Sequence, residues 1–326
     1  MTSHTLLIFP GQGSQYRGMG SDLGTRFKIA GDTYEQASDV LGYDMKRLSF
    51  QDPESVINLT RFTQPALLTH HIACLRVLRE LAGEVAVAAS ASAGHSLGEY
   101  SALVAAGALD FESALALVQK RGELMGEFGE GEMSALPVGL EEARSWSDKF
   151  YCAIGGINLP QQTVVAGASD DLDRLESAFQ EANPRRRPVR LKTEGAFHTY
   201  YMVDAARRFR TVLDDARIGE PRFKVLSNYT GTYHDPDPQQ IKSRLFFQLF
   251  HPVNWIGCLE TALEDGAARV IELGGGIGSG ETPAEKRPNL EGIIRKAARG
   301  AGREVEYVPA INLETIEAAA KSTAPS

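Results

Sequence analysis

Five residues, Gly94-His95-Ser96-Leu97-Gly98, constrain this chain more than any others. They stand between an apolar run of small residues, 85–93, and a helix-like run, 99–109. A serine with glycine two places away on each side predicts a tight strand-to-helix turn, since a Cβ at either glycine would collide with neighbouring backbone. Such a turn lifts Oγ clear of the sheet and aims the next helix's N-terminus at negative charge developing on an attacked carbonyl. Acyl chemistry at Ser96 is one reading. A Gly-Ser loop that only turns the chain is the other, and the pentapeptide by itself leaves both open.

A strand that ends in such a turn needs a sheet to belong to, and the rest of the chain supplies one. Residues 5–9 read as a buried strand running into the glycine-rich loop Pro10-Gly11-Gln12-Gly13-Ser14-Gln15. Helical spacing occupies residues 26–41 and 64–81, and a further helix starts near Phe111. Between residues 131 and 193 the units shorten to strand 132–138, helix 141–149, strand 152–158, strand 163–168, helix 170–181 and strand 188–192. This β-α-β-β-α-β order is that of a small ferredoxin-like α+β domain inserted as a lid. Afterwards helices at 201–215, 239–250, 255–265 and 290–301 alternate with strands at 224–227 and 270–273. The expected fold class is therefore α/β, a large hydrolase-like domain with a mostly parallel sheet plus the inserted domain. Its boundaries are 1–130 with 194–314 for the large catalytic domain, 131–193 for the small one, and 315–326 for a disordered tail.

Bulk properties narrow the function. The 326 residues carry a formal charge of −8, which argues against a general nucleic-acid binder, because phosphates call for a broad basic field. Three unclustered cysteines, Cys74, Cys152 and Cys258, indicate neither a disulfide framework nor a metal site. The first 14 residues lack a basic segment followed by an apolar stretch, and no apolar run of about 18 residues occurs. The expectation is a cytoplasmic protein with no membrane partner, no metal and no cofactor.

Ser96 needs a base. Of the seven histidines, His198 is singled out by position. It follows Gly195-Ala196-Phe197 where the small domain hands back to the large one, and such junctions form clefts. From position alone, a histidine filling that seam explains it as well as catalysis does. The loop 10–15 lacks the Gly-Lys-Ser/Thr ending of a phosphate loop, as does Gly274 to Gly280, so nucleotide binding is disfavoured at both.

Six segments in order then carry a resemblance: Pro10-Gly11-Gln12-Gly13-Ser14-Gln15, Gln64-Pro65-Ala66-Leu67, Gly94-His95-Ser96-Leu97-Gly98-Glu99-Tyr100, Arg121-Gly122, Gly195-Ala196-Phe197-His198 and Pro252-Val253-Asn254-Trp255. Together they are similar to the malonyl-CoA:acyl carrier protein transacylase family over residues 6–312. The resemblance implies Ser96 as nucleophile, His198 as base, the backbone N–H groups of Gln12 and Leu97 as oxyanion hole, and the backbone carbonyl of Asn254 as the group that holds the histidine. It also implies that Arg121 pairs with the free carboxylate of a malonyl group, a task suited to guanidinium geometry. His95 and Phe197 complete the substrate-binding candidates. The partners implied are a coenzyme A thioester as donor and an acyl carrier protein as acceptor in a ping-pong transfer. Carrier proteins are typically acidic, so Arg185 to Arg187, Arg207, Arg208 and Arg210, and Lys286, Arg287 and Arg295 are candidate docking clusters.

Three places depart from the family pattern. Gly274-Gly275-Gly276 stands where Gly-Pro-Gly is usual, the stretch 278–292 is unusual, and Thr199-Tyr200-Tyr201 follows the histidine, with Glu194 ahead of it. These departures support a second reading, a trans-acting acyl hydrolase that strips acyl chains from carrier proteins with the same serine and histidine. A third, a non-catalytic carrier-binding module, leaves Ser96 and His198 without a use.

Overall fold

The computed structural model describes residues 4–84 and 87–323. Their strands form two five-stranded sheets. The larger comprises β1 (His4–Phe9), β2 (Ala91–Gly94), β7 (Lys224–Val225), β9 (Ala267–Leu273) and β10 (Glu306–Ala310). The smaller comprises β3 (Glu132–Leu136), β4 (Ala153–Leu159), β5 (Gln162–Gly167), β6 (Val189–Leu191) and β8 (Val253–Asn254).

The larger sheet runs β10-β9-β1-β2-β7 with every neighbouring pair parallel, so the expected α/β class with a parallel sheet holds. Alternation along β1 shows why the strand reads as an unbroken apolar run. Leu7 and Phe9 pack into a core built with the helices Lys28–Leu41, Thr60–Ala82 and Phe111–Glu127. Leu6 and Ile8 point the other way, into a core with the helices Trp255–Glu264 and Glu291–Gly300. Both faces are covered. The helix Phe111–Glu127 starts at Asp110, whose carboxylate accepts the Ser113 N–H at 2.7 Å and satisfies one of the free donors of the first turn.

The smaller sheet runs β6-β3-β5-β4-β8, antiparallel except that β8 lies parallel to β4 through Gly156 with Val253 and Ile157 with Asn254. One face carries Leu136, Val138 and Val165 against Leu172, Leu175 and Phe179 of the helix Ser169–Ala182. Residues of the opposite parity, Met133, Val164 and Leu191, turn towards the larger sheet and line a cavity between the two.

Two expectations need correction. Residues 315–323, expected within a disordered tail, belong to the helix Leu313–Thr323, because Ile316, Ala319 and Ala320 recur at helical spacing and are buried. Residues 324–326 lie outside the described residues. The apolar run 85–93 contributes only its last three residues to a strand, β2, and Val85 and Ala86 lie outside the described residues.

Candidate active site

The glycines at the serine turn are there for space. A Cβ on Gly94 would fall 1.8 Å from the Gly98 carbonyl carbon, and one on Gly98 would fall 2.3 Å from the Phe9 carbonyl oxygen. Ser96 itself takes a left-handed backbone conformation, φ 52°, which L-residues rarely occupy and which a rigid surround must hold. The surround is visible. The Ser96 N–H donates to Asn228 Oδ1 at 2.6 Å, and the Ser96 carbonyl accepts from Gln248 Nε2 at 2.9 Å.

The serine and the candidate base meet. Ser96 Oγ lies 2.7 Å from His198 Nε2, across 102 positions of sequence. His198 Nδ1 lies 2.8 Å from the Gln248 backbone carbonyl, which can only accept, so Nδ1 carries the proton and Nε2 presents its lone pair to the serine hydroxyl. Burial first, then the Arg121 charge, pulls the imidazole from 6.5 down to about 3, against the opposing pull of the Gln248 carbonyl. It is a neutral base. His198 shares the left-handed conformation, φ 63°.

The carbonyl on His198 therefore belongs to Gln248 and not to Asn254, which corrects the expectation for that residue. Asn254 is committed elsewhere: its N–H donates to the Asn228 carbonyl at 2.8 Å, and its side chain caps the helix Trp255–Glu264 by accepting the Gly257 N–H at 3.1 Å. Gln248 sits at the end of the helix Pro238–Gln248, where carbonyls lose their helical partners and become free to accept.

Arg121 is fully buried on the helix Phe111–Glu127. Its Nη1 donates to Gln64 Oε1 at 2.8 Å, and its Nη2 to Gln248 Oε1 at 2.9 Å and to Ser96 Oγ at 3.1 Å. A guanidinium has five N–H donors, so three bonds leave two over, and Nε is one of these. Burial lowers its pKa from the ordinary value. No carboxylate among the described residues makes an ion pair with it. The charge is desolvated, pinned by neutral oxygens and still short of partners.

Gln12, Leu97, His95 and Phe197 line the same cavity of about 270 Å³ as Ser96, His198 and Arg121. Asn254 does not. Gln12 is anchored through Nε2 to Thr60 Oγ1 at 3.2 Å, and His95 Nε2 meets Asn158 Oδ1 at 3.1 Å on the smaller sheet. Gly11 must lack a side chain, since a Cβ there would come within 2.7 Å of the His95 carbonyl oxygen. The two glycine-bearing loops are thus in contact beside the serine.

Of the three departures from the family pattern, one reaches the cavity. Asn289 and Leu290, near the end of the unusual stretch, and Ile293, just beyond it, line it, and the buried carboxylate of Glu272 accepts the Asn289 N–H at 2.7 Å and the Leu290 N–H at 2.9 Å. Tyr200 and Tyr201 stack on each other at 4.6 Å outside the cavity lining, and the Glu194 carboxylate accepts the Thr60 N–H at the start of the helix Thr60–Ala82. Tyr200, Tyr201 and Glu194 therefore do not line the acyl pocket. Among the basic clusters, Arg186, Arg207, Arg210 and Arg295 pair with Glu142, Asp204, Asp214 and Glu291.

Reasoning from sequence passed over Gln248, Asn228 and His234, and it quoted Glu99 without giving it a role. Glu99 Oε1 meets His234 Nε2 at 2.7 Å, while Oε2 accepts the Asn228 N–H at 2.9 Å and Gln248 Nε2 at 2.8 Å. Glu99 stands in the serine motif, three residues after Ser96, and that adjacency was the available signal.

Comparison with known proteins gives the following. Residues 6–270 match the acyl transferase domain family. A polyketide biosynthesis protein, ThaF of Burkholderia thailandensis, is 38% identical over 297 residues, covering 90% of this chain and 25% of that protein, so the chain spans a quarter of its length. PksC of Bacillus subtilis, a polyketide biosynthesis malonyl CoA-acyl carrier protein transacylase, is 38% identical over 274 residues, covering 82% of this chain and 92% of that one. Among solved structures, a malonyl-transacylase in complex with its type II PKS acyl-carrier protein superposes with a TM-score of 0.86 at 33% identity, over 98% of this chain and 100% of that one.

Proposed function

The chain belongs to the malonyl-CoA:acyl carrier protein transacylase family, and from that premise we propose that it carries a malonyl group from coenzyme A, through an ester on Ser96, to the phosphopantetheine thiol of an acyl carrier protein. Ser96 Oγ attacks the thioester carbonyl while His198 Nε2 takes its proton. The tetrahedral oxyanion is received by the backbone N–H groups of Gln12 and Leu97. Collapse breaks the carbon–sulfur bond, and the departing thiolate recovers the proton from His198. In the second half the carrier thiol gives its proton to His198 and attacks the ester, and Ser96 leaves with that proton restored. The names of the relatives point to polyketide biosynthesis as the setting. The larger unit reads as hydrolase-like, at residues 1–130 with 194–314, and residues 131–193 as a ferredoxin-like insert in a soluble, cytoplasmic enzyme. No helix among the described residues is long and apolar enough to cross a membrane.

The observation that carries this reading is Arg121. A buried cation hydrogen-bonded to the reacting oxygen at 3.1 Å, with two donors to spare, has a chemical reason to be there if the acyl group brings a carboxylate. Whole-protein mass spectrometry after mixing with malonyl-CoA tests it. A stable malonyl ester on Ser96 that passes to carrier protein supports transfer. Free acid released on incubation with acyl carrier protein supports the hydrolase reading, and no change in either Ser96 or the carrier refutes both.

A further inference from the structure

Glu99 and His234 form a fully buried pair behind the serine turn, outside the cavity lining, and the reaction as written makes no use of them. Burying a carboxylate is costly unless donors surround it, and here three do: His234 Nε2, the Asn228 N–H and Gln248 Nε2. The identity of the last two matters. Asn228 and Gln248 are the residues that hold Ser96 on its two sides, Asn228 by accepting its N–H and Gln248 by donating to its carbonyl. Gln248 also gives its backbone carbonyl to His198 and its Oε1 to Arg121.

Taking Ser96 as the nucleophile, we propose that Glu99, held by His234, is a positioning residue for the reaction, the outer carboxylate that fixes the orientation of Asn228 and Gln248 and through them of Ser96, His198 and Arg121. The Gln248 side chain is an amide between two opposite charges. Glu99 attracts its N–H₂ end and Arg121 its oxygen, so the electrostatics of both sides select one of the two flips. Removing the carboxylate weakens that choice, which then rests on Arg121 and the Ser96 carbonyl alone, and a flipped amide would set donor against donor at Arg121. Ser96, in a left-handed conformation, is then held less firmly by its bonds to Asn228 and Gln248. Stability alone does not account for the pair, since buried polar groups are often no better for stability than well-packed apolar side chains.

The test is Glu99→Gln, with His234→Ala as second variant. Three quantities are read on the folded fraction: single-turnover acylation of Ser96 by malonyl-CoA, labelling of Ser96 by an alkyl fluorophosphonate, and KM for malonyl-CoA. The fluorophosphonate carries neither carboxylate nor coenzyme A, so it reports the serine alone. Both rates should fall by about tenfold or more, the scale on which partners behind a reactive group act, with KM within about threefold of wild type. His234→Ala should move the same rates in the same direction by less. A folded Glu99→Gln protein with wild-type rates, or one altered only in KM, overturns the proposal. Should Glu99→Gln not fold, His234→Ala decides: slowed labelling supports the proposal and wild-type labelling overturns it. A wild-type protein that labels with the fluorophosphonate yet takes no malonyl group refutes malonyl transfer, and leaves the comparison of variants intact.

Discussion

Replacing Arg121 by alanine separates recognition of the acyl group from activation of the serine. Two N–H groups of Arg121 remain after its bonds to Gln64, Gln248 and Ser96, one on Nε and one on Nη1, and since these do not share an edge of the guanidinium a single malonyl carboxylate takes one of them. A hydrogen bond to a charged group contributes about 1.5–3 kcal/mol, or roughly 10–10² in rate at 1.36 kcal/mol per tenfold. Arg121→Ala also removes the bond to Ser96 Oγ, but that loss falls on every substrate alike. The ratio of kcat/KM for malonyl-CoA to that for acetyl-CoA is therefore the diagnostic quantity. It should drop by about 10–10². Stopped-flow acylation with each thioester, with folding checked by circular dichroism, measures it. If both substrates lose equally, Arg121 does not read a carboxylate and the substrate assignment falls with it.

Other outcomes follow from the same geometry. His198 is held neutral down to about pH 3, so the acylation rate should stay level as pH falls from 8 to 5; a midpoint near the ordinary histidine value of 6.5 in that profile contradicts the burial argument. Burial raises Glu272 from 4.5 to about 7. Its folded form thus holds a proton that the unfolded chain gives up, and the stability so gained is complete below 4.5 and is lost as pH rises through 7. Glu272→Gln should remove a pH dependence on the order of 3 kcal/mol, read as the wild-type minus variant difference in denaturant unfolding at pH 4.5 and 7.5; identical differences at the two pH values count against it. Asn254→Ala should cost about 1 kcal/mol through loss of the helix cap and leave Ser96 acylation unchanged, whereas a tenfold slower variant would return Asn254 to the catalytic machinery.

The glycine spacing marked the serine turn and the loop at Gln12 in the sequence, and position singled out His198, whereas the roles of Gln12, His198 and Arg121 were implied only by the resemblance to the transacylase family. The group that holds His198 was not legible. A backbone carbonyl has no residue identity, so a motif such as Pro252-Val253-Asn254-Trp255 cannot say whose oxygen is free, and the end of the helix Pro238–Gln248 decided for Gln248. His234 was hidden for a related reason. It stands 135 positions from Glu99, and only the packing of the larger sheet makes them neighbours. The helix Leu313–Thr323 was mistaken for a tail because its exposed Glu, Lys and Ser outweigh three buried positions that carry the periodicity. Tyr200 and Tyr201 show the converse, since nearness to His198 in sequence did not bring them into the cavity.

Ser96 and His198 share one further property, a positive φ, which costs an L-residue about 1–2 kcal/mol relative to glycine. A selection for thermal stability alone would therefore favour glycine at the two positions where catalysis forbids it. Mutational surveys scored by folding should find gains at 96 and 198, surveys scored by turnover should find total loss, and the disagreement between the two would map the reacting atoms without any substrate bound.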